Sequence, residues 1–158
     1  MDTEPFETAE AESFPTVTQI SVFLVDRLGE LLRLTRTLDP SGIHILALSV
    51  VNAIDCAVVR MIVDDPEEAA EVLRQAGFAI SETDLLVVSL PPGKRALAQT
   101  WLALLGAEVS IAYTYPLLTQ PKGRPALAVQ ADNLEHAAEN LRSKNFTVLD
   151  QSDLSANY

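Results

Sequence analysis

The chain repeats itself, and the repeat limits what it can become. Gly29 and Gly93 stand 64 positions apart (93 − 29), as do Gly42 and Gly106 (106 − 42), and each pair brackets an apolar segment at helical spacing. Farther on, Ala69-Ala70-Glu71 with Leu73-Arg74 and Phe78 returns as Ala137-Ala138-Glu139 with Leu141-Arg142 and Phe146, 68 positions later (137 − 69). Two copies of one unit account for both intervals if the second carries four extra residues near Gln120-Pro121-Lys122-Gly123. Coincident glycine, core and charge positions make duplication the reading to build on. Aligned on those glycines, the apolar face of the second unit's first helix is rotated relative to that of the first.

Each unit reads strand, helix, strand, strand, helix, strand. In the first, Thr18 to Val25 is a strand rich in β-branched and aromatic residues, Gly29 to Asp39 a helix, and Pro40-Ser41-Gly42 its stop. Ile43 to Val51 and Cys56 to Val63 form a hairpin about Asn52-Ala53-Ile54-Asp55. Asp65 caps a second helix with Pro66 in its first turn, Gly77 ends it, and Phe78 to Ser81 is the last strand. Ser81-Glu82-Thr83-Asp84 reads as a short linker. The second unit follows with strands at Leu85 to Leu90, Glu108 to Leu118, Ala126 to Gln130 and Phe146 to Asp150. One of its helices carries Leu97, Ala98, Trp101, Leu102 and Leu105 on one face and stops at Gly106, and the other is capped by Asp132-Asn133. This order predicts an α+β fold, a ferredoxin-like βαββαβ sandwich repeated twice, with antiparallel sheets and helices on one face. The organisation expected is an acidic mobile arm over 1–17, units over 18–84 and 85–151, and a tail over 152–158.

Charge narrows the partners. With 22 acidic against 11 basic residues the net charge is −11, which repels phosphate backbones and anionic lipid heads. Nucleic acid and membrane are not expected partners. RNA-recognition modules share this topology, but they need aromatic residues on central strands and a basic surface, and neither is present. The single Cys56 has no internal partner and lies in an apolar strand, which fits a buried thiol in a reducing, cytoplasmic setting. The start has no basic-then-apolar secretion signal.

Catalysis finds no support. His44 and His136 occupy different places in their repeats, without carboxylate or cysteine partners at metal-ligand spacing. No nucleophile motif and no phosphate-cradling glycine loop occurs, so neither enzyme activity, cofactor nor metal is expected. The informative stretch is Val25-Asp26-Arg27-Leu28-Gly29-Glu30-Leu31, a turn between strand and helix whose bare amides, with the helix dipole, favour an anionic group. Gly29 is read as the residue that lets the chain reverse there.

Asp26-Arg27-Leu28-Gly29-Glu30-Leu31, Gly42 before Ile43-His44-Ile45, and Arg60-Met61-Ile62-Val63-Asp64-Asp65-Pro66 with Ala69 and Leu73 resemble the ACT domain. The second half, through Pro92-Gly93, Gly106 and Tyr113, is similar to the partner repeat of tandem-ACT proteins, and the resemblance runs from about Thr18 to Asp150. It implies a non-catalytic regulatory protein, a homodimer that binds an amino acid or similar small anion at interfaces between ACT units and acts through a partner protein. Carried over, the effector residues are Arg27, Leu28, Gly29 and Glu30 with Ile43, His44 and Ile45, then Pro92, Gly93 and Lys94 with Glu108 and Val109. Leu28 stands where the family usually has proline, and His44 and Glu108 where many members have asparagine. Glu108 would repel a ligand carboxylate, which makes the first unit the better binding candidate. The alternative is a structural or protein-interaction module that has kept the fold and lost the ligand.

Overall fold

Strands and helices alternate as the residue pattern predicts, and the chain passes from one unit to the next without a break. The computed structural model describes residues 14–25 and 27–156, with the side chains of Arg27 and Leu28 outside that description. Most of the expected acidic arm, Phe6 included, and Asp26 of the turn lie outside the described residues. The first unit comprises β1 (Val17–Leu24), α1 (Arg27–Leu38), β2 (Ile45–Asn52), β3 (Ala57–Val63) and α2 (Pro66–Gln75). Then come β4 (Ala79–Ser89), α3 (Ala96–Gly106), β5 (Ile111–Pro116), β6 (Ala126–Ala131), α4 (Leu134–Ser143), β7 (Val148–Leu149) and α5 (Gln151–Ser155).

The four polar residues Ser81-Glu82-Thr83-Asp84, expected as a linker, lie inside β4. Their side chains are exposed, but their backbones pair with β1 in a register running from Val17 opposite Leu85 to Phe23 opposite Ala79. From Leu86 onward β4 pairs instead with β6, and Val87 and Val88 also pair with β7. One strand thus serves as the last of the first unit and the first of the second. The result is a seven-stranded sheet in the order β2-β3-β1-β4-β6-β5, with β7 beside β4.

Alternation along the strands divides the apolar residues among three cores. Ile20, Val22 and Leu24 face α1 and α2 with Leu34, Leu38 and Leu73. Leu86, Val88, Leu127 and Val129 face α3 and α4. The opposite faces of the two half-sheets pack on each other through Val17, Leu46, Ile62, Leu85, Val87 and Ala128. The outer strands β2 and β5 also meet, through an Ala47–Leu117 bridge and a bond from the Leu118 N–H to the Leu46 carbonyl at 2.7 Å. The open edges that motivated a homodimer are therefore partly covered within one chain.

A polar knot crosses this central core. Gln19, 1% exposed, accepts from the Tyr115 hydroxyl at 2.7 Å, and its amide nitrogen lies 2.8 Å from the Tyr113 hydroxyl. The Arg60 guanidinium stacks 3.8 Å from the Tyr113 ring centre. Burial pushes the Tyr115 phenol well above its ordinary range, so it stays protonated and keeps donating. Gln151 and Ser155 of α5 add bonds to the carbonyls of Val63 and Asp64. The segment expected as a tail is therefore helical for most of its length, held by an Asp150–Asp153 capping box and the buried Leu154.

Two further expectations change. The α3 face carrying Leu97, Trp101, Leu102 and Leu105 is the exposed one, and Thr100, Ala103 and Leu104 are buried instead. Cys56 is half-buried just before β3 rather than buried within a strand.

Candidate functional site

The duplication is real in the backbone, but its register differs from the glycine count. The His44 N–H donates to Asp64 at 2.9 Å, and the Ser110 N–H to Asp132 at 2.9 Å, 66 (110 − 44) and 68 (132 − 64) positions later. Leu48 opposite Met61 in one unit corresponds to Thr114 opposite Val129 in the other, again 66 and 68. Two extra residues, not four, sit in the loop between β5 and β6. In this register the counterpart of Gly42 (φ 67°) is Glu108 (φ 56°), not Gly106, and that of Gly29 is Arg95. Gly29 has no positive φ: α1 begins at Arg27, so Leu28, Gly29 and Glu30 belong to its first turn. A Cβ on Gly29 would meet nothing within 4 Å.

The candidate residues fall at separate places. α1 runs back along β1, so the Arg27–Glu30 turn and the Ile43–Ile45 segment lie at opposite ends of the first half-sheet, roughly 25 Å apart at strand rise. Pro92, Gly93 and Lys94 are separated in the same way from Glu108 and Val109. The two turns also lie beyond opposite ends of β4, so they line no common seam within the chain. Ile43 and Ile45 pack on the first core and Val109 on the second core. The His44 ring lies 3.0 Å from the Asp64 carboxylate.

What each half does form is a notch between the end of its first strand and the return from its last helix. In both, a residue in left-handed conformation ends that helix, Gly77 (φ 88°) after α2 and Asn145 (φ 66°) after α4. Glycine and asparagine tolerate this best. The next residue, Phe78 or Phe146, bonds through its N–H to the Leu73 or Leu141 carbonyl at 3.0 Å, which sets an aromatic ring on the notch floor.

In the first half the protein fills this notch itself. Arg33 is gripped by Glu30 through two bonds of 2.9 and 2.8 Å, donates to the Ala76 carbonyl at 3.1 Å, and lies 3.8 Å from the Phe78 ring centre. The hydrogen bond from Arg33 holds the Glu30 carboxyl below its ordinary value. About 290 Å³ remains. In the second half, 66 positions on, Gln99 replaces Arg33 and Ala96 replaces Glu30. The notch there is an open groove of about 700 Å³.

The groove is lined by the Leu90-Pro91-Pro92 turn, by Gln99, Leu102 and Ala103 of α3, and by Phe146. Lys122, Arg124 and Lys144 stand around it, three of only 11 basic residues in an acidic chain. Lys122 pairs with Asp153 at 3.0 Å, whereas Arg124 and Lys144 make no ion pair among the described residues. Gly106 makes room for Lys144: a Cβ there would come within 2.5 Å of the lysine amine. Asn140, one turn earlier, donates to the Ala103 carbonyl and ties α4 to α3. Of the expected effector residues, Pro92 lines this groove and Glu30 the filled notch. Gln99, Lys122, Arg124, Lys144 and Phe146 were not anticipated, because they converge from three separate stretches. The Phe78–Phe146 match was the one sequence signal pointing there.

Among the described residues no three His, Cys, Asp or Glu side chains cluster for a metal ion, and no helix is long and apolar enough to cross a membrane. Two ferredoxin-like units joined through a shared strand define a tandem α+β module. The chain belongs to the ACT domain pair family, whose model matches residues 15–157, and ACT domains are regulatory rather than catalytic. Protein BT0572 from Bacteroides thetaiotaomicron is 29% identical, with a TM-score of 0.81 over 90% of this chain and 97% of that one. The ligand-free regulatory subunit of aspartate kinase from Thermus thermophilus shares the fold at 16% identity and a TM-score of 0.55, over 84% and 98%. The corresponding subunit from Thermus flavus does so at 15% and 0.55, over 83% and 93%. No curated protein sequence matches the chain.

Proposed function

We propose that this ACT domain pair is a non-catalytic regulatory protein that binds a small anionic effector, an amino acid or similar acid, and passes its occupancy to a partner protein. The observation that carries the reading is the contrast between equivalent notches. One is filled by the chain's own guanidinium, and the other is open beside Arg124 and Lys144. A cation-lined concavity with an aromatic floor suits an acid carrying an apolar body. The effector site is thus placed in the second half, at the turn containing Pro92. The Arg27–Glu30 turn serves the first half as structure.

Calorimetric titration with the twenty amino acids and with simple carboxylic acids tests the proposal. Heat is expected with at least one, and an Arg124→Ala, Lys144→Ala double variant should lose it. No heat with any compound contradicts the reading. The structural-module alternative keeps one argument, the filled notch of the first half. A homodimer and a cytoplasmic setting belong to the proposal as well, the former with sheet edges that the chain itself partly covers. A single monomer boundary in sedimentation at micromolar concentration removes the homodimer.

A further inference from the structure

The groove's charges are one-sided. Among the described residues Arg124 and Lys144 offer cations without an internal counter-ion, Lys122 adds a third already paired with Asp153, and no carboxylate lines the groove. Its other polar side chains, such as Gln99 and Asn145, can hydrogen-bond but carry no charge. An amino acid brings an ammonium two bonds from its carboxylate, so both charges must enter the same cationic field. A bound ammonium without a carboxylate partner loses its hydration and faces like charges. A carboxylate alone meets only favourable neighbours.

Shape adds a second constraint. A groove of about 700 Å³ is sized for a ligand well beyond glycine or alanine, and Leu90, Leu102 and Phe146 offer it apolar surface. Among the described residues no guanidinium covers the Phe146 ring as Arg33 covers Phe78, so its face is available for an aromatic or branched aliphatic group.

We infer that the second-half groove selects an organic acid with a sizeable apolar body and no amine, such as a 2-oxo acid or an arylalkanoic acid, over the corresponding amino acid. This rests on the effector reading above and sharpens its ligand class. Selectivity comes from the groove's rejection of the ammonium as much as from attraction of the acid.

Matched pairs isolate the amine. The full chain is titrated calorimetrically with phenylpyruvate against phenylalanine, and with 4-methyl-2-oxopentanoate against leucine. The oxo acids should bind about tenfold tighter or better, and more weakly as salt is raised. Lys144→Glu, at an exposed helix end, should narrow or invert the preference by supplying the missing carboxylate. Amino acids binding as well as or better than their oxo partners overturns the inference and leaves the effector reading standing. Binding by neither member of either pair overturns the inference, and silence from every compound of the wider panel overturns the effector reading too.

Discussion

Phe78 and Phe146 sit at the same place in the two halves, on the same kind of helix ending, yet one ring is covered and the other open. The difference traces to two positions 66 apart: Arg33 and Glu30 in the first half face Gln99 and Ala96 in the second. The guanidinium is planar, cationic and clasped at both ends, so it fills its notch much as a ligand would. The shorter, neutral glutamine does not. Duplication has let one copy become a filled brace while the other keeps a concavity, lined by Lys122, Arg124 and Lys144.

Removing the rings tests this contrast most severely. Phe78→Ala should cost about 3–4 kcal/mol in urea unfolding, because a nearly buried ring and its stacked arginine are lost together. Phe146→Ala, at a half-buried ring, should cost about half as much. Equal losses would mean the two rings are equally covered, and the contrast would fail.

A graft of the first half's plug onto the second comes next in size. Ala96→Glu with Gln99→Arg should close the groove and weaken effector binding by about ten- to a hundredfold, or roughly 1.4–2.7 kcal/mol, with folding intact. Undiminished affinity would show that ligand does not use the space over Phe146. The helix endings differ less. Gly77→Ala should cost about 1 kcal/mol, since φ of 88° is strained for alanine although the space for a Cβ is free. Asn145→Gly should change stability by no more than about 0.5 kcal/mol.

The smallest effect is one of pH. Glu30 titrates below its ordinary value in the folded protein because Arg33 donates to it. Its contribution is therefore present above the unfolded-state pKa and fades as pH falls through the lower folded-state pKa. Carboxyl resonances followed by NMR should show a depressed midpoint at Glu30 that returns to normal in Arg33→Gln. A normal midpoint in the unaltered protein would mean that the clasp is open.

The parts of the fold visible in sequence were those written in local chemistry. Asp65 caps α2 by accepting from the Glu68 N–H, Asn133 caps α4, and Ala69, Ala70 and Leu73 with Ala137, Ala138 and Leu141 are buried as their spacing predicts. The interval of 68 was right because those residues are fixed by packing. The interval of 64 was not, because Gly29 and Gly106 occupy ordinary helical conformations and mark no turn.

Three features were illegible for stated reasons. The polar run at 81–84 gave no sign of being a strand, because its strand character lies in backbone pairing with β1. α3 is apolar on almost every side, so composition did not choose its inner face. The groove is assembled from residues between 89 and 147 that only the shared strand and the two-residue insertion bring together.

The most direct test of the central claim is a backbone NMR titration of the full chain with phenylpyruvate, following both notches in one experiment. Shifts concentrated at Gln99, Asn145, Phe146 and Thr147, with Arg33, Gly77 and Phe78 unmoved, are the predicted result. Shifts centred on the first-half notch, or none in the second, would contradict the account.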